Sequence, residues 1–195
     1  LASHERFIPE TARRLSDSFF TKTLSLEGWA IADFVQRREQ FLVDVCSGLD
    51  ADSRAALALV YMRNGRLTSP ISPTADEAQA LARMNSTLGA SMEALQALKG
   101  SLVAFTVVDG EPCWTFRHPT IGDAYATILR TNPELLGIYI RGSHVDKLME
   151  QVTCGDTQVQ GAVIVPRTLF RLLASRLVDY KSSTSYKHEW LAIWG

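Results

Sequence analysis

Cysteine is scarce in this 195-residue chain: Cys46, Cys113 and Cys154 are odd in number and far apart, with no CxxC pair and no histidine at ligand spacing. That pattern builds neither a disulfide framework nor a zinc site, so buried free thiols are expected. No Gly-Lys dipeptide occurs, and neither GxGxxG nor GxSxG is present. The phosphate-cradling P-loop and the nucleophile elbow are therefore missing, and the segment is not expected to bind a nucleoside triphosphate by itself. A dominant charge is lacking as well. The formal net charge of -1 supplies no global field for nucleic acid or acidic lipid. No apolar run nears the roughly 18 to 20 residues of a membrane span, and the N-terminus lacks a signal peptide's basic and apolar regions, so a cytoplasmic location is expected.

What is present is the material of a soluble core: 46% hydrophobic against 21% charged residues. Residues 9–49 read as three short helices, with Pro9 suited to a first turn and Phe41, Leu42, Val45 and Leu49 on one face. Asp50 is placed to cap "ADSRAALALVYMRNG", which is apolar around most of its circumference and ends at Gly65, as a helix at a domain centre would be. "LTSPISP" reads as a loop. Thr74 and Glu77 then form a capping box ahead of "AQALARM", and after "NSTLG" Ser91 is positioned to cap "MEALQALK", which Gly100 ends.

The period then changes. "SLVAFTVV", the turn Asp109-Gly110 and "EPCWTF" predict a β-hairpin, with Pro112 pointing to an edge strand. Three helices followed by a hairpin over residues 50–116 is the element order of a winged helix-turn-helix. From Pro119, the positions Ile121, Ala124, Tyr125, Ile128 and Leu129 make a one-face helix. "PELLGIYIRG" and "SHVDKLMEQV" add two more helices, "TQVQGAVIV" reads as an extended segment, and Pro166 to Val178 as a helix with Leu169, Phe170, Leu173 and Leu177 inward. "KSSTSYK" is a polar linker. The fold class expected is mainly α: a helical bundle plus a winged helix-turn-helix with one β-hairpin, followed by further helices. Residues 1–49 are expected to form a helical domain, 50–131 the winged helix, and 132–195 a C-terminal helical segment.

DNA binding is the first function a winged helix suggests. Residues 74–117 hold Arg83, Lys99 and Arg117 against Asp76, Glu77, Glu93, Asp109 and Glu111, and the recognition-helix pattern carries only Glu93, Lys99 and Gln96 as charged or base-reading groups. Duplex affinity comes largely from Lys and Arg on phosphates, so this unit is expected to pack on protein rather than read DNA. A DNA-binding transcriptional regulator remains the rival reading. The four histidines are scattered and no nucleophile triad is evident, so no catalysis and no metal are expected of these residues.

In "WTFRHPTIGDAYA" the histidine at 118 has two readings. It is placed to precede a helix whose first turn holds Pro119, with Thr120 and Asp123 as an alternative cap; an imidazole beside the amides of a helix start also suits an anion. "FRHPTIGDAYA", with "LKGSLV", "DGEPCW" and "FVQRREQFLVDVCSGLDADSRAALALVYMRNG" before it, resembles the region after the nucleotide-binding domain in STAND-type NTPases, especially the bacterial novel STAND branch. The likeness covers most of residues 1–178. It implies that His118 touches the phosphate of ADP bound in the full-length protein. Phe116-Arg117-His118-Pro119 stands where related plant and animal proteins carry Met-His-Asp, so the acid directly after the histidine is missing. "HERFIPETARRL" is similar to the stretch leading from the NTPase core into its helical domain, through His4, Arg6 and Pro9.

The resemblance implies a regulatory segment that holds an ADP-bound off state and releases on activation, in an antiviral-defence context. Its partners would be a preceding P-loop domain of the same chain and, after activation, further copies. ADP or ATP would belong to the parent ATPase, with a nuclease or other effector fused to it, and no cofactor to this segment. Leu1 in place of Met, and the apolar helical pattern broken off at "KHEWLAIWG", lead to the same expectation of a piece from a longer protein.

Overall fold

A computed structural model describes residues 9–22, 27, 38–155 and 162–182. The described part opens on the short helices α1 (Pro9–Leu15) and α2 (Ser18–Thr21), and α3 (Arg38–Ser47) is the next helix among the described residues. His4 and Arg6 lie outside the described residues. Asp50 then caps α4 (Ala51–Met62) by accepting from the Ser53 amide at 2.7 Å. Residues 55 to 62 of α4 are all buried, which is why the sequence there is apolar on every face: neighbours surround this helix.

After α4 the chain makes β1 (Leu67–Thr68), α5 (Ala75–Arg83), α6 (Leu88–Leu98), β2 (Val103–Val108) and β3 (Glu111–Phe116). The sheet order is β1-β3-β2, all antiparallel, so the winged helix-turn-helix is complete with a three-stranded wing. Asp109 and Gly110 both have positive φ, 53° and 86°, as a two-residue hairpin turn needs to match strand twist. Thr74 and Glu77 make the capping box. Glu77 is 1% exposed, and its carboxylate also takes hydrogen bonds from Arg63 Nε and, at 2.7 Å, Nη2.

Four local expectations change. "LTSPISP" is not wholly loop, because Leu67 and Thr68 pair with Trp114 and Cys113. That makes the strand of Pro112 central rather than an edge; Pro112 sits near its start, where its carbonyl accepts from the Ser69 amide at 2.8 Å. The helix expected to start after Ser91 begins at Leu88, capped by Thr87, whose hydroxyl accepts from the Ala90 amide. Thr87 has the extended backbone a cap needs, while Ser91 is buried one turn in, 3.0 Å from the Ser86 hydroxyl. Cys46 and Cys113 are buried free thiols as expected, but Cys154 is exposed.

α7 (Pro119–Thr131) buries Ile121, Ala124, Tyr125 and Leu129 and packs on α3. Asn132 ends α7 and caps α8 (Pro133–Gly142), which packs on α5. α9 (Val145–Gln151), β4 (Val152–Cys154), β5 (Val163–Val165) and α10 (Phe170–Ser182) follow, β4 and β5 pairing in parallel. A 3-10 turn at Arg167–Leu169 leads into α10, which takes in the first two residues of the expected linker. One contiguous core runs from Phe20 through Leu42, residues 55–62 of α4 and Ile140 to Leu173.

Candidate functional site

The N-terminus of α7 is assembled from two distant parts of the chain. Phe116 leaves the wing, Arg117 hydrogen-bonds backward through its amide to the Leu102 carbonyl, and His118 then adopts an extended backbone, φ -145° and ψ 143°, as the helix cap. Pro119 follows at the first helical position, where its fixed φ suits the helix and its missing amide proton costs nothing. His118 Nδ1 accepts from the Thr120 amide at 3.3 Å and lies 3.0 Å from Thr120 Oγ1. The Ile121 amide is bonded to the His118 carbonyl.

This corrects one expectation. The first-turn amides are not open for an anion, because one is absent and the next two are engaged, and Thr120 serves as the partner of His118 rather than as a competing cap. What the arrangement leaves to the imidazole is its other nitrogen. A ring whose Nδ1 accepts carries its proton on Nε2, so the hydrogen-bond network assigns His118 the tautomer in which Nε2 is a donor.

The second part is α1. Arg14, 3% exposed, donates from Nη2 to Thr120 Oγ1 at 2.8 Å and from Nε to Glu10 Oε1 at 2.8 Å. Thr120 Oγ1 accepts from the guanidinium and lies beside His118 Nδ1, so Glu10, Arg14, Thr120 and His118 form one chain of polar contacts. Arg13 grips the same Glu10 with Nε and Nη2, at 2.9 and 2.8 Å, and reaches Asp17. The hydrogen bond from Arg13 holds the Glu10 carboxyl below its ordinary value, with the charges of Arg14 and Arg13 adding in the same direction against burial. Both guanidinium groups lie over the buried Phe20 ring, at 5.8 and 5.7 Å from its centroid.

Sequence reasoning found His118 but not Glu10, Arg14 or the role of Thr120. The signal was local only at Glu10, Arg13 and Arg14, whose i,i+3 and i,i+4 spacing marks ion pairs along one helix. Asp123 is exposed on the first turns of α7 and makes no ion pair among the described residues. Burial pushes the Cys46 thiol up to about 12, well above neutral pH, and so disfavours its thiolate. Among the described residues no three His, Cys, Asp or Glu side chains gather in a way that could hold a metal ion, and no helix is long and apolar enough to cross a membrane.

On the DNA question, α6 presents Met92, Glu93 and Gln96 to solvent, and the adjoining strand β2 presents Phe105 and Val107. Lys99 lies 5.6 Å from the Phe105 ring centroid. No protein-family model, no curated protein and no solved structure matches the chain.

Proposed function

We propose that this chain is the helical and winged-helix regulatory segment of a STAND-type ATPase switch in bacterial signalling for antiviral defence. It holds an ADP-bound off state against the P-loop domain of its parent protein and lets go on activation, when copies assemble. The observation that carries the reading is His118: a helix cap whose Nδ1 is occupied, whose tautomer leaves Nε2–H as a donor, and whose ring is only partly buried. A neutral donor of this kind adds a charge-assisted hydrogen bond to a phosphate, worth about 1.5 to 3 kcal/mol. It needs no lysine or metal from this segment to do so.

The polar contacts at Thr120 support a latch in a second way. Arg14 ties α1, the element closest in sequence to a preceding domain, to the turn that carries His118, so the two would move as a unit. The partly apolar surface of α6 and β2, whose one charged side chain is the acidic Glu93, favours a protein neighbour over a duplex, which supports this reading against the DNA-binding regulator.

The experiment is ADP release from the parent protein, followed with a fluorescent ADP. His118→Ser should accelerate release about tenfold, the factor that corresponds to roughly 1.4 kcal/mol. Release at the unaltered rate, with the P-loop domain present and folded, removes His118 from the nucleotide site and the switch reading with it.

A further inference from the structure

Two clefts away from His118 contrast in their charge. One, of about 560 Å³, lies between the start of α5 and residues 142–146, and its arginine is already used: Arg176 donates to Asp76 at 2.6 Å and to the Ser143 carbonyl at 2.7 Å, with Asp146 and Asp179 in the same wall. The other, of about 320 Å³, is bounded by residues of α3, α4, α5, α7 and α8. Its walls carry two arginines, Arg54 and Arg83, and one carboxylate, Glu134.

Neither arginine takes part in an ion pair among the described residues; the one bond of Arg83 is a 3.5 Å contact to Gln79. Arg13, Arg14, Arg63, Arg66 and Arg176 have carboxylate partners, whereas Arg117, Arg130, Arg141, Arg167 and Arg171 share with Arg54 and Arg83 the lack of an ion pair among the described residues; Arg54 and Arg83 are the arginines that line this cleft. The same cleft is lined by the apolar side chains of Tyr125, Ile128, Leu135 and Ile138, and behind Tyr125, Leu135 and Ile138 the packing closes against Ala58 and Met62. Met84 lines the cleft, and an unbranched thioether side chain adjusts readily to a guest.

We infer that this cleft binds a small amphipathic anion, with a carboxylate or similar oxyanion head held by Arg54 and Arg83 and an apolar body lying on Ile128, Leu135 and Ile138. Two positive charges against one negative leave room for a single anionic charge. A planar guanidinium matches the oxyanion with paired donors, while the floor supplies apolar area that an inorganic ion would leave unused. Because the walls come from α3, α4, α5, α7 and α8 together, an occupant bridges elements on both sides of Asn132 and raises the unfolding temperature of the chain.

Octanoate is the probe, titrated calorimetrically into the 195-residue chain, with 1-octanol as the neutral counterpart. The expected result is saturable one-to-one binding of octanoate that weakens about tenfold in Arg54→Gln and in Arg83→Gln, with octanol binding at least about tenfold more weakly than octanoate. Both arginines are exposed, so neither change disturbs the core. Binding in His118→Ser should equal that of the unaltered chain, since Ile128 lies ten positions further along α7. Absence of saturation, equal affinity for octanol, or octanoate affinity unchanged in both arginine variants overturns the site.

Discussion

Arg14 and Thr120 are 106 positions apart in the chain and 2.8 Å apart in space, the guanidinium donating to the threonine hydroxyl. Through that bond, and the Glu10 carboxylate behind it, α1 is fastened to the start of α7. Arg14→Met keeps the length and apolar stem of the side chain but removes both charge-assisted bonds. Since Arg13 still holds Glu10, the loss should be about 1.5 to 3 kcal/mol. Hydrogen exchange should accelerate at the amides of residues 9–22 and stay unchanged in β2 and β3. Uniform acceleration across the chain would mean that α1 is part of the global core rather than a docked element.

Glu77 supports a prediction in pH. Burial alone would raise its carboxyl, but hydrogen bonds from Arg63 and the Thr74 amide outweigh that and bring it below its ordinary value of 4.5. A carboxyl depressed by folding contributes stability that is present above 4.5 and is lost as the pH falls below it toward the folded-state value. Acid titration of the unfolding free energy should therefore show a decline beginning near pH 4.5 that is shallower in Glu77→Gln. That variant should also lose about 2 to 4 kcal/mol at pH 7, because Arg63 is left partly buried without its partner. Identical acid limbs in the two proteins would remove Glu77 as the cause.

Gly142, the last residue of α8, is needed for close approach. A Cβ there would come within 2.6 Å of Ala80 Cβ and 2.7 Å of Met62 Sδ. The Met62 sulfur sits near the end of a flexible side chain, but the Ala80 Cβ is fixed to α5. Gly142→Ala should cost about 1 to 3 kcal/mol by overpacking, and Ala80→Gly should recover part of the loss in the double variant. Additive losses in denaturant titrations would show that α5 and α8 separate without strain.

The winged helix should not retard duplex DNA with sequence preference. Met92, Glu93 and Gln96 on α6 offer no phosphate contact of opposite charge, leaving Lys99 at its C-cap as the nearest cation. Salt-sensitive, sequence-selective retardation at sub-micromolar protein, lost in a Lys99→Ala and Gln96→Ala double variant, would reverse the assignment in favour of a transcriptional regulator.

The features visible in the sequence were those written in adjacent residues. Thr74 with Glu77, and Asp109 with Gly110, each satisfy a local backbone requirement within four positions, and both formed as expected. Pro119 fixed the start of α7 for the same reason. Where two residues could do the same work locally, packing chose between them: Thr87 and Ser91 are both capping types, and burial of Ser91 beside Ser86 decided the matter. The strand Leu67–Thr68 is too short to show a period of two and exists only because Trp114 and Cys113 lie alongside it. At the candidate site, His118 was marked by the helix start, whereas Arg14 gave no sign of its destination, since nothing within α1 encodes a contact to residue 120.

His118 has two separable roles, and one substitution keeps one while removing the other. His118→Ala removes the acceptor for the Thr120 amide and should cost the 195-residue chain about 0.5 to 2 kcal/mol, the usual loss of an N-cap. His118→Ser restores a side-chain oxygen at the cap and should recover most of that stability, yet it lacks the Nε2–H donor. Leu129→Ala, on the fully buried face of the same helix, should cost about 2 to 5 kcal/mol and mark the scale of a core cavity. Ile128 is only half-buried, so Ile128→Ala should cost less than Leu129→Ala. In the parent protein, Ala and Ser at position 118 should accelerate ADP release equally, although their stabilities differ. If release instead follows stability, with Ser behaving like the unaltered protein, His118 is a helix cap alone and the phosphate contact lies elsewhere.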